Sequence, residues 1–164
     1  LFFRSRALFA PPIQLAAMLG LLAGAIWPWL GTVRPEAALV LAALAPVGVV
    51  GALLYEPRPP DHSHWPMGLI AGWLTVSGIG AAAALVFMRL DVESELVTLA
   101  ALLALSLIGA QVQFSMGKNV GYAVAIIWAM LGIAAASMSL SMTVSTACVL
   151  GIATMAVVVV RVTT

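Results

Sequence analysis

Apolar runs of about 17 to 22 residues, separated by short polar breaks, set the pattern of this chain. They lie at roughly Gln14–Leu30, Ala37–Tyr55, Met67–Met88, Glu95–Met116, Asn119–Met138 and Met142–Val160. A helix needs about 20 residues to cross the hydrocarbon of a bilayer, so each run predicts one crossing. Nothing alternates as the strands of a barrel would, and backbone groups without water partners favour helices at that depth. The expected fold is all-α: a polytopic transmembrane bundle of about six helices over residues 14–161, preceded by an interfacial stretch at 1–13. Only the serine-rich "SMSLSMTVS" parts the last two runs, and together they are too long for one crossing, so a tight turn is placed there. Pro46, in mid-run, is expected to free a backbone carbonyl and kink its helix.

Composition sharpens this picture. Hydrophobic residues make up 63% of the chain and charged ones 8%, with a mean hydropathy of +1.15. A soluble domain carries about a quarter charged residues, so the solvent here is mostly lipid. A net charge of +1 with no basic stripe excludes a nucleic-acid partner. Six crossings put Arg4, Arg6, Arg58, Lys118 and Arg161 on one side, against Arg34 and Arg89 beside Glu36, Asp91, Glu93 and Glu95 on the other. That bias predicts a cytoplasmic N-terminus, and the expected location is the bacterial inner membrane. The opening "LFFRSRALFAPP" resembles neither a start nor a signal peptide, which suggests that the chain begins partway into a longer protein. Cys148 is the single cysteine and can form no internal disulfide.

Candidate chemistry is sparse. No Lys, Arg, Asp, Glu or His lies deep within a run, which weighs against ion or proton transport. Ser94, Ser106 and Ser115 have no nearby histidine and acid partners, so no catalytic role is expected. In "EPRPPDHSHWP", residues 56–66, the imidazoles of His62 and His64 with Asp61 and Glu56 could serve zinc, but no second ligand cluster accompanies them. A stiff, solvated strap explains the stretch better, and neither a metal nor a cofactor is expected. Gln111, Gln113 and Asn119 gather near a helix end, where capping and interhelical bonding account for them. The small-residue pairs Gly20/Gly24 and Gly68/Gly72, and the series Ser137, Ser141, Ser145, favour packing within one bundle over a dimer interface. Trp27, Trp29 and Trp65 fall at run ends, where indoles settle at headgroup level. Trp73 and Trp128 lie deeper, Trp128 near the middle of its run. Trp128 either packs between helices or lines a pocket. Ser77, Gly80 and Ala84 continue the face of Trp73 at helical spacing, a groove for a flat ligand or another helix.

At "MGLIAGWLTVSGIG" (67–80) and "GKNVGYAVAIIWAMLGIAAA" (117–136) the chain resembles the extended group of TspO-related, tryptophan-rich membrane proteins. Gly72, Trp73, Leu74, Thr75, Val76 and Ile79 follow the group's GW-[IL]-[TS]-V-A-T-I-A pattern. Tyr122, Ala123, Val124, Trp128, Ala129, Gly132, Ile133 and Ala134 follow its later tyrosine- and tryptophan-bearing helix. The asparagines expected after the GW motif and in the preceding tryptophan helix are absent, as is the double-proline loop of the smaller relatives. The resemblance implies a compact, commonly dimeric bundle with a cavity for a tetrapyrrole, sterol or isoprenoid.

Two functional expectations follow. One is a non-enzymatic, ligand-binding membrane protein with Trp73, Ser77, Tyr122 and Trp128 at the site. Tyr122 and Trp128 differ by about 120° around their axis, so these residues cannot all face one way. The alternative is an accessory subunit of a larger respiratory or photosynthetic membrane complex. Membrane lipids surround the chain in both.

Overall fold

In a computed structural model of the chain, which describes residues 11–55, 65–90 and 92–164, six helices fall on the six apolar runs. They are α1 (Pro11–Leu30), α2 (Pro35–Tyr55), α3 (Trp65–Leu90), α4 (Ser94–Met116), α5 (Gly121–Ser137) and α6 (Met142–Thr163). Five are long and apolar enough to cross a membrane, while α5 has only 17 residues. Prolines open α1 and α2, at the position where a missing N–H costs nothing. The strap at residues 56–64, the first ten residues and Asp91 lie outside the described residues.

Sequence neighbours pair as α1–α2, α2–α3, α3–α4 and α5–α6, but α4 and α5 touch sparingly. Instead α5 lies along α3 and α6 along α4, so α3, α5, α6 and α4 form a ring. Helix α2 leans on this ring, and α1 leans on α2. Tyr122, Ile126 and Met130 of α5 are fully buried in it with Met116 of α4 and Met155 and Cys148 of α6.

Glycine sets how close the helices come. A Cβ on Gly20 would stand 2.8 Å from the Ala45 carbonyl oxygen, and one on Gly48 2.7 Å from that of Ala16, so α1 and α2 meet backbone to backbone. A Cβ on Gly72 would stand 2.5 Å from the Tyr122 carbonyl oxygen. Gly121 abuts the backbone of Trp65 and Leu69 in the same way, which makes α3 and α5 parallel with their N-termini together. Both glycine pairs noted in the sequence therefore pack within the bundle. Helix α2 runs unbroken through Pro46, whose missing N–H leaves the Ala42 carbonyl without its helical partner. Gly78 of α3 closes on that same oxygen, where a Cβ would stand at 2.7 Å. The freed acceptor thus faces a glycine Cα, a geometry suited to a weak C–H···O bond.

Two turns are built by polar side chains. Gln113, fully buried, donates from its amide nitrogen to the carbonyls of Gly117 (2.9 Å) and Asn119 (3.2 Å). Its amide oxygen accepts from Ala123 N–H at 3.1 Å. The N-cap of α5 is Val120, which has no capping side chain, so α4 supplies the cap from outside. Gly117 holds φ 60°, a left-handed conformation that glycine adopts without strain. The break inside "SMSLSMTVS" falls between Ser137 and Met142. Ser141 caps α6 by accepting from Val144 N–H at 3.2 Å, and the hydroxyls of Ser137 and Ser145 meet at 3.1 Å across the turn.

The sole cysteine is fully buried, so a thiol-reactive dye reports unfolding directly. Gly48→Ala is expected to lose about 1–3 kcal/mol of stability by this measure, because a backbone oxygen cannot yield. Gly132→Ala, whose Cβ would meet nothing within 4 Å, stays level or gains up to about 1 kcal/mol. Gln113→Ala leaves two carbonyls and an N–H unpaired and loses about 2–4 kcal/mol.

Candidate ligand-binding face

The seam between α3 and α5 carries the residues singled out in the sequence, and it distributes them unequally. On α3 the inward positions Gly68, Ala71, Gly72 and Thr75 are buried. Trp73, one residue past Gly72, turns about 100° away from the seam and is 52% exposed. Ser77, Gly80 and Ala84 continue its side of the helix at four- and three-residue steps, and a Cβ at Gly80 would meet nothing within 4 Å. The Ser77 hydroxyl donates to the Trp73 carbonyl at 2.9 Å, so its proton is committed to its own helix.

On α5 the exposed positions Val124, Trp128, Leu131, Gly132 and Ala135 form the matching stripe. Trp128 is 70% exposed near the middle of the helix. Ile126 and Ala123, which meet Gly109 and Gln113 of α4, lie on the opposite side. Because α3 and α5 run parallel, Trp73 and Trp128 leave the pair on the same side, away from α4. Gly72 is level with Tyr122 and Ala125, so Trp128 lies about one helical turn, or 6 Å, farther along than Trp73. Counting on from Gly72 and Tyr122 also brings Gly80 and Gly132 to nearly the same height on either flank of the seam. No described helix of this chain lies over these two glycines.

Tyr122 goes the other way. Its side chain is fully buried between α3 and α5, and its hydroxyl donates to Thr75 Oγ1 at 3.3 Å. Thr75 in turn donates to the Ala71 carbonyl at 2.9 Å. The chain therefore brings Trp73, Ser77 and Trp128 to one outward side and places Tyr122 behind them, in accord with the 120° offset of Tyr122 from Trp128. A ring could stack on the indoles, whereas Tyr122 sets the spacing of the two helices. Thr75 stood in the sequence only as part of a motif. Its partner lies 47 positions away, and no local pattern signals such a bond.

The charged ends are simple. Arg89 at the end of α3 donates to Glu36 at the start of α2 across 2.7 Å, in an exposed pair that screening leaves of little energetic weight. The histidines of the strap lie outside the described residues.

A family model described as TSPO-like protein covers residues 7–161. No curated protein and no solved structure matches the chain. The match runs through all six helices, including both tryptophan-bearing motifs of the α3–α5 seam, and the chain belongs to the TSPO-like family.

Proposed function

We propose that this TSPO-like membrane protein binds an apolar or tetrapyrrole-like ring ligand along the α3–α5 seam and carries or senses it without chemical change. One observation supports the reading most: two indoles, Trp73 and Trp128, stand on one side of a parallel helix pair, with the open positions Gly80 and Gly132 beside them. A flat ring gains stacking against indoles, and small neighbours let it approach the helix backbones. Porphyrins, sterols and isoprenoids share this chemistry, and all reach such a face from within the bilayer. Tyr122 and its bond to Thr75 act as positioning groups that fix the seam. In the proposed orientation the end bearing Lys118 and Arg161 faces the cytoplasm, following the bias of basic residues.

Titration with a soluble porphyrin should quench tryptophan fluorescence saturably. Replacing both Trp73 and Trp128 by Phe should raise the apparent Kd about tenfold, the loss expected for two stacking contacts. Trp29→Phe, at a helix end, should leave the Kd unchanged. Binding by the double variant that equals the parent's would end this assignment.

Orientation has its own measurement. In a Cys148→Ala background, Lys118→Cys should resist a membrane-impermeant thiol reagent on intact cells and react once the membrane is opened. Labelling in intact cells would reverse the topology.

A further inference from the structure

The end of α6 carries a feature that neither the α3–α5 seam nor bundle packing uses. Arg161 is exposed one turn from the end of the described chain. Among the described residues it makes no ion pair or hydrogen bond, whereas Arg89 is held by Glu36. The described acids Glu36, Glu93 and Glu95 all sit at the opposite end of the bundle. Ala156, Val157, Val160 and Thr164 line, together with Arg161, a shallow, open recess along the outward side of α6. The Thr164 hydroxyl donates to the Val160 carbonyl at 2.9 Å, so among the described residues the guanidinium is the one strong donor at the rim.

An apolar recess on a helix long and apolar enough to cross a membrane, ending in a guanidinium that no described residue holds, has the polarity of a single phospholipid. The fork of N–H groups suits a phosphate, which it can grip through two parallel bonds. A zwitterionic lipid brings its own ammonium to compete for that phosphate, whereas an anionic one does not. We propose that this recess seats an anionic phospholipid, its acyl chain along Ala156, Val157 and Val160 and its phosphate on Arg161.

Native mass spectrometry of the full chain, equilibrated with equal phosphatidylglycerol and phosphatidylcholine in mixed micelles, tests the proposal. The protein should retain phosphatidylglycerol over phosphatidylcholine about fivefold, the preference expected for one cation at an anionic surface. Arg161→Gln should bring the ratio close to one. Ala156→Leu, which obstructs the recess and keeps the charge, should lower it as well. Lys118→Gln, at the same end but outside the recess, should not. Dye labelling of Cys148 confirms folding, and if Arg161→Gln fails to fold, Ala156→Leu decides alone. A preference that survives either recess variant would overturn the site. So would equal losses in Lys118→Gln and Arg161→Gln, the mark of diffuse attraction. Displacement of the lipid by millimolar inorganic phosphate would also overturn it, by reducing the site to a free-anion contact.

Discussion

Backbone contact between helices is the constraint from which the rest of this bundle follows. Inside a bilayer a leucine gains little by leaving lipid for protein, so helices must find another reason to stay together. This chain supplies it by deleting side chains at the seams. Gly20 and Gly48 bring α1 onto α2, Gly78 brings α3 onto α2, and Gly72 and Gly121 bring α5 onto α3. Each contact is tight enough that one methyl group would strike a carbonyl or its neighbour. Dispersion and weak C–H···O bonds then act at their shortest range, where they are strongest. The parallel run of α3 beside α5, on which the tryptophan-bearing face depends, is a product of two such glycines.

Polar groups serve the same end. The interior holds very few, and those few are spent on geometry. Gln113 binds three backbone groups at once and substitutes for the cap that Val120 cannot provide. The pair of carbonyls on one side and an N–H on the other also fixes which end of the amide is nitrogen. Tyr122 and Thr75 form the corresponding clasp between α3 and α5. A buried network of this kind favours one arrangement, because any slip along the helix axis breaks several bonds together.

Much of this was legible in the sequence, for a physical reason. Run length and hydropathy report directly on whether a helix can cross hydrocarbon, and the six helices coincide with the six runs. Small-residue spacing located two of the seams, and the helical offset between Tyr122 and Trp128 meant that the two could not share one face. What stayed hidden was pairing. Periodicity shows that Gly72 has a small face, but not that the partner is α5 instead of the adjacent α4. Thr75 and Gln113 act through groups that only the fold brings near, and the role of Gly78 depends on a proline in another helix. Exposed indoles and buried ones also look alike in a sequence so uniformly apolar, so the side taken by Trp73 and Trp128 became visible only once α3 and α5 were paired.

The shortness of α5 has a wider meaning. Its 17 residues rise about 26 Å, less than the roughly 30 Å of a bilayer's hydrocarbon. Neighbouring α3, with 26 residues, exceeds that span. Gly121 opens α5 level with Trp65 and Leu69 at the start of α3, so the shortfall lies at the other end, where α5 stops at Ser137. There the hydroxyls of Ser137 and Ser145 meet across the turn into α6. A helix shorter than its neighbours can end early because serines of its own turn partner one another where the backbone runs out of helix.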